Sequence, residues 1–251
     1  MSTVTLDPDS PAARPARAPC VLVVRTGRAD PSVADSHGDY PDMFRRLLAD
    51  VGADIDVVSP FSGEALPYGG RYEGIIVTGS ASSVRDEEPW MAAVGRWAVA
   101  MAAHTPVLGV CFGHQLVGEA LGGRVDRNPA GPEWGTVDVQ LTAAGRADPL
   151  FDGLPDILVV QGLHGDVVLT EPAPERFVRL AGNAGTPLQA MAVGPWLRTV
   201  QFHPELQDDS LSTILAARGW TATHPTRHSD HGRRIVHNWV QHYVRRAEHA
   251  G

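Results

Sequence analysis

Apolar and polar positions along the chain follow two rhythms. Residues 20–26, CVLVVRT, are a short β-branched run, the pattern of a buried strand. A polar loop, RADPSVADSHGD, follows. YPDMFRRLLADVG (40–52) changes to helical spacing, with Met43, Phe44, Leu47 and Leu48 on one face and Gly52 as its stop. ADIDVVS (53–59) predicts a second strand, and YEGIIVTGS (72–80) a third that ends in a Gly-Ser turn. DEEPWMAAVGRWAVAMAAH (86–104) carries apolar residues at 90, 91, 94, 97, 98 and 101. That is a helix, with acids crowding its front end, where they suit the helix dipole, and Pro106 after its end. PVLGV (106–110) predicts a fourth strand. Strands alternating with helices imply a parallel sheet covered on both faces, with its strand ends sharing one rim.

The second half has a different rhythm. Residues 123–127, 134–141, 156–161, 176–181, 187–193 and 196–202 predict short strands separated by Gly and Pro. Helices return only at 208–219, capped by Asp208 or Asp209, and at 231–246, where Ile235, Val236, Trp239, Val240 and Tyr243 form the apolar stripe. Trp90, Trp97 and Trp196 also fall within apolar stripes. There is no internal repeat. The expected fold class is α/β: a mostly parallel central sheet flanked by helices, with an added small antiparallel β element. Residues 19–249 are expected to form a single domain, and residues 1–18, rich in Pro, Ala and Arg, a disordered tail.

Composition narrows the classes of function. A chain of 251 residues with 43% hydrophobic content can build a large core. Its net charge of −8 argues against a nucleic-acid partner. No apolar run approaches the roughly 20 residues that span a bilayer. The first residues lack the apolar stretch of a signal peptide, and Asp7 and Asp9 argue against a transit peptide. Cys20 and Cys111 cannot make a disulfide framework, which favours a reducing, cytoplasmic setting. Cys20 heads a strand and is expected to be buried. The histidines at 224, 228, 231, 237 and 242 fit no compact metal spacing, and no glycine-rich phosphate loop is present, so neither metal nor cofactor is expected.

One cysteine differs from an ordinary core thiol. In VLGVCFGHQL (107–116) a strand runs into Cys111, with Gly109 and Gly113 on either side. G-x-C-x-G has the form of a nucleophile elbow, in which glycines let neighbouring chains approach a sharp turn. The side chain then stands at a helix N-terminus, where the dipole favours a thiolate nucleophile. The Phe112 N–H points where an oxyanion would develop, and Gln115, one turn further on, can face the same pocket. The alternative is a structural cysteine beside a loop glycine. A nucleophile needs a base, and a base needs an orienting group. LRTVQFHPEL (197–206) offers His203 and Glu205 after an apolar strand, with Pro204 stiffening the turn between them. A surface His-Pro-Glu turn is the alternative there, but the order Cys, His, Glu joins the two motifs into one expectation.

With these motifs in this order, the chain resembles the class I glutamine amidotransferases from about Val21 to the last helix. TGSASSVRDEEPW (78–90) resembles the oxyanion loop of that family, which implies a second N–H donor from Gly79. VLGVCFGHQLVGEALGG (107–123) resembles its elbow, including the substrate-binding glutamine at Gln115, and NPAGPEWG (128–135), LHGDVV (163–168) and QFHPE resemble further landmarks. The resemblance implies a flavodoxin-like core and hydrolysis of the γ-amide of glutamine through a thioester on Cys111. It is closest to stand-alone proteins: the glutaminase part of GMP synthesis and the γ-glutamyl peptidases, which also carry an extra segment like 207–230. No synthetase domain is expected after the last helix, so any ammonia acceptor is expected to be a separate polypeptide. The chain departs from the family at VVQGLHGDVV (159–168), where Gln161 and Leu163 replace an aromatic and a serine. Gln161, Gly162, Leu163 and His164 are the expected substrate-binding segment through their backbone. His164 and Asp166 either line the pocket rim or order a turn. The altered segment leaves a γ-glutamyl peptidase as the alternative activity, and a non-catalytic glutamine-sensing or partner-binding subunit as a third.

Overall fold

The computed structural model describes residues 18–69 and 72–247, so most of the expected N-terminal tail lies outside the described residues. The first half forms β1 (Cys20–Val24), α1 (Pro31–His37), α2 (Tyr40–Ala49), β2 (Asp54–Val58), β3 (Gly74–Val77), α3 (Pro89–Met101), β4 (Val107–Val110) and α4 (Phe112–Ala120). The second half adds β5 (Arg124–Arg127), β6 (Glu133–Leu141), α5 (Ala143–Ala147), β7 (Ile157–His164), β8 (Asp166–Thr170), β9 (Val178–Gly182), β10 (Ala190–Val193), β11 (Leu197–Val200), α6 (Asp208–Ala217) and α7 (His231–Trp239). A π-helical stretch, Val240–Val244, continues the last helix.

Strands from both halves share one nine-stranded sheet, in the order β2-β1-β3-β4-β11-β10-β9-β6-β7. Its first five strands are mutually parallel, and from β11 outward each neighbour is antiparallel. β5 and β8 make a separate two-stranded antiparallel ribbon. The sequence thus has the fold class right, and the antiparallel strands mostly extend the main sheet.

Both faces of the parallel region are covered, which explains its unbroken apolar strands. Val21, Val23, Ile76 and Leu108 face one layer, with Phe44 and Leu48 of α2 and Ile235, Val236 and Trp239 of α7. Leu22, Val24, Ile75 and Val77 face the other, with Met91, Val94 and Trp97 of α3 and Leu116 and Val117 of α4. The period of two along each strand divides the core into these layers. α2 opens on a capping box, in which Asp39 caps the helix and the Asp42 side chain accepts from the Asp39 N–H at 3.0 Å. α3 and α4 pack closely at Gly95, where a Cβ would stand 2.5 Å from the Leu116 carbonyl oxygen.

Three elements depart from the sequence reading. The polar loop after β1 contains α1, whose single buried apolar residue, Val33, leaves no stripe to read; its signals are Pro31 in the first turn and Asp30 as a cap accepting from the Ser32 N–H. α5 is five residues long, and among the described residues β8 pairs only with β5. Cys20 is half-buried rather than buried, because it sits at the open end of β1.

Trp239 is fully buried, and its ring lies where a Cβ on Gly74 would stand 2.7 Å away. Trp239→Ala is expected to lower stability by about 3–5 kcal/mol, read from a denaturant unfolding curve at unchanged slope.

Candidate active site

Cys111 sits between β4 and α4 with φ of 50° and ψ of −99°. Cys111 and Glu87 are the non-glycine residues with positive φ among those described. Such a backbone costs roughly 1–3 kcal/mol and persists only where surrounding contacts hold it. Here the Cys111 N–H donates to the Val200 carbonyl at 2.8 Å, and the Gly113 N–H donates to the Thr78 carbonyl at 3.2 Å. The flanking glycines have steric reasons. A Cβ on Gly113 would lie 2.5 Å from the Val77 carbonyl oxygen, and one on Gly109 2.9 Å from Thr199 Cγ2. Phe112 opens α4, so its N–H has no acceptor within the helix.

His203 reaches the elbow because β11 is the parallel neighbour of β4, with Val200 opposite Val110. The chain beyond β11 is pinned to β7 by the His203 N–H donating to the Gln161 carbonyl at 2.8 Å. Gly79 packs against both groups: a Cβ there would lie 2.7 Å from His203 Cε1 and 3.6 Å from Cys111 Cβ. His203 Nδ1 is 2.7 Å from Glu205 Oε1, and both side chains are buried. His203 Nε2 is buried without a hydrogen-bond partner in this arrangement. Burial alone would lower the pKa of His203, but Glu205 and then Cys111 outweigh it and push it up to about 10. Glu205 thus favours the charged form of the ring, which stands beside the Cys111 sulfur.

The cleft above Cys111 has a volume of about 170 Å³. Ser80 to Ser83, Gln115, Leu163 and His164 line it, with Trp134, Arg218 and Trp220. The side chain of Gln161 is tied elsewhere, its oxygen accepting from Thr136 Oγ1 at 2.8 Å and its amide donating to the Arg227 carbonyl at 3.1 Å. Gln161 and Gly162 are thus set back in β7, while Leu163 and His164 reach the cleft wall. His164 Nε2 lies 2.9 Å from Glu133 Oε2. Burial pushes the Glu133 carboxyl up, but His164, Asn183 and Thr186 outweigh it and hold the group below its ordinary value. The Asp166 carboxylate accepts from Ser83 Oγ at 2.5 Å and from Arg85 Nε at 3.4 Å. His164 and Asp166 therefore line the cleft and also brace it.

A chain of amides ends on the sulfur. Gln115 Nε2 donates to the Asp166 carbonyl at 2.8 Å, which fixes which end of that amide is nitrogen. The same nitrogen meets Gln201 Oε1 at 3.3 Å, and this turns Gln201 Nε2 toward Cys111 Sγ, 3.6 Å away. An N–H donor on sulfur favours the thiolate, the better acceptor.

The sequence model of the glutamine amidotransferase class-I family matches residues 32–218. The chain belongs to this family. It is similar to the GMP synthase [glutamine-hydrolyzing] of Aeropyrum pernix, 32% identical over 83% of this chain but only 35% of that protein. It is also similar to a glutamine-hydrolyzing GMP synthase subunit of Halobacterium salinarum, 31% identical over 69% of this chain and 87% of the relative. The chain thus spans about a third of the full-length synthase and most of the separate subunit. A glutamine amidotransferase from Thermotoga maritima shares the fold at a TM-score of 0.69 and 20% identity, covering 91% of this chain and 98% of the other.

Within this amidotransferase fold, the structure brings Cys111, Gly79, Phe112, His203 and Glu205 together. Sequence reasoning did not single out Gln201, Trp134, Arg218 or Trp220. Gln201 lies within the QFHPE motif, whereas Arg218 and Trp220 carry no local signal, since only the return of α6 over the rim brings them to the cleft. Among the described residues no group of His, Cys, Asp and Glu is arranged to hold a metal ion, and no helix is long and apolar enough to cross a membrane.

Glu205→Gln removes the main group that raises the His203 pKa. The alkaline limb of kcat/KM, set by loss of the imidazolium, is expected to move down by about one pH unit or more, read from a pH–rate profile. Gln201→Leu is expected to slow alkylation of Cys111 near neutral pH by roughly 10-fold, measured by intact mass with iodoacetamide.

Proposed function

We propose that this protein is the glutaminase component of an ammonia-transferring system and hydrolyses the γ-amide of glutamine through a Cys111 thioester. The observation that carries the reading is the strained Cys111 at a helix N-terminus, beside a buried His203–Glu205 pair. The Cys111 thiolate attacks the γ-carbonyl carbon, forming a C–S bond and a tetrahedral oxyanion. The Phe112 N–H is one donor to that oxyanion, and the Gly79 N–H is the other, as the resemblance implies. Thr26 Oγ1 donates to the Gly79 carbonyl at 2.9 Å and holds this turn. His203 gives its proton to the leaving nitrogen, and ammonia departs as the C–N bond breaks. The neutral imidazole then takes a proton from water, which attacks the thioester; the C–S bond breaks and glutamate leaves. Glu205 holds Nδ1 of His203 throughout and stabilises the imidazolium.

Similarity to glutamine-hydrolyzing GMP synthases supports glutamine over larger γ-glutamyl peptides as the substrate. Similarity to a protein named as a subunit of GMP synthase supports delivery of the ammonia to a separate synthetase polypeptide.

Cys111→Ala is expected to reduce glutamate release to background and to abolish covalent capture of a glutamine-derived electrophile, by a coupled glutamate assay and intact mass. Unchanged turnover in that variant would sink the mechanism. A side-by-side assay of glutamine and γ-glutamyl dipeptides is expected to favour glutamine, and the reverse order would establish the peptidase.

A further inference from the structure

We propose that Arg218 anchors the free α-carboxylate of the γ-glutamyl substrate, braced by the Trp220–Trp134 stack. Arg218 is the C-cap of α6, in the segment beyond His203 and Glu205 that the hydrolytic mechanism leaves without a role. It lines the same small cleft as Cys111. The proposal rests on the amidase reading and adds to it a class of substrate: γ-glutamyl amides whose α-carboxyl group is free.

The charges in the cleft point to this assignment. Its other charged groups already have partners. His164 faces Glu133, and Asp166 accepts from Ser83 and Arg85. Arg218 has no ion pair among the described residues. Asp30, the cap of α1, feels its charge only from beyond ion-pair range, and Tyr40 on α2 feels it too. A half-buried cation without an anionic partner among the described residues, lining the cleft of the nucleophile, is complementary to an anionic ligand. In glutamine the group of that charge is the α-carboxylate.

The geometry adds pre-organisation. The guanidinium lies over the Trp220 ring, 4.7 Å from its centroid. Trp220 stacks on Trp134 with centroids 4.3 Å apart and planes 10° from parallel. Trp134 belongs to β6, and its N–H and carbonyl hold Thr223 beyond Trp220. The stack therefore fixes Arg218 to the sheet. Stacking uses the flat face of a guanidinium and leaves the in-plane N–H edge for a carboxylate, so little freedom is lost on binding.

The test reads covalent capture of Cys111 by intact mass, which needs no partner protein. One probe is a diazoketone analogue of glutamine, and the second is the same compound with its α-carboxylate converted to a carboxamide. Iodoacetamide, which has no α-carboxylate, reports the thiol and the fold. Wild-type protein is expected to react about 10- to 100-fold faster with the acid probe than with its amide. Arg218→Ala is expected to erase that preference while its iodoacetamide rate stays within about twofold of wild type, and Arg218→Lys to restore part of the preference. A preference unchanged in Arg218→Ala, a wild-type preference near unity, or an equal slowing toward all three reagents would overturn the assignment. Wild-type protein that reacts with iodoacetamide but with neither diazoketone would overturn the amidase reading itself, and this inference with it.

Discussion

The site depends on one constraint: Cys111 must hold a left-handed backbone angle in a place with no room for side chains around it. The strain is roughly 1–3 kcal/mol, and short contacts keep it from relaxing. The Val200 carbonyl holds the Cys111 N–H, and the Thr78 carbonyl holds the N–H of Gly113. Both carbonyls follow or end strands beside β4, so the sheet itself sets the turn. Gly79, Gly109 and Gly113 are the corresponding absences, since a Cβ at each would meet a neighbour at 2.7, 2.9 and 2.5 Å respectively. A larger residue at any of the three would push apart the chains that bring the sulfur, the imidazole and the N–H donors together.

The same sheet explains why groups distant in sequence meet at one place. β3, β4 and β11 are parallel neighbours, so their C-terminal ends lie on one rim. From β3 comes the Gly79–Ser80 turn, from β4 the nucleophile and from β11 the His203–Glu205 pair. Burial makes that pair strong, because a carboxylate and an imidazole shielded from water interact far more than they would at a surface. It also carries a cost, since a buried ion left without its partner is worse than no ion at all. The imidazolium is therefore tied to Glu205, and its charge stands beside Cys111.

How much of this could be read in the sequence follows from how local each signal is. The elbow was legible because Gly109, Cys111 and Gly113 lie in one short window and answer to one steric need. His203 and Glu205 were legible because they share one turn. The strands of the parallel region were legible from their apolar runs. α1 was hidden because only Val33 is buried, so no stripe marked it, and β8 because its partner, β5, is distant in the chain. At the cleft, Leu163 and His164 reach the wall, but the Gln161 side chain does not. Thr136 and Arg227 claim the Gln161 amide, two residues back along β7. Neither partner could be inferred from the segment itself.

Trp134, Arg218 and Trp220 mark where local reading ends. Each is ordinary in its own window: an aromatic in a strand, a cation closing a helix, an aromatic after a glycine. Their meaning comes from assembly, as α6 leaves the turn beyond Glu205 and brings its last turn back over β6. One segment of chain therefore carries Glu205, which holds His203, and then brings Arg218 to the cleft. A displacement of α6 that moved Arg218 would also pull on the carboxylate that holds His203. The rim of the parallel sheet thus carries Cys111 and the His203–Glu205 pair, while the segment after it carries Arg218 and Trp220 to the same cleft.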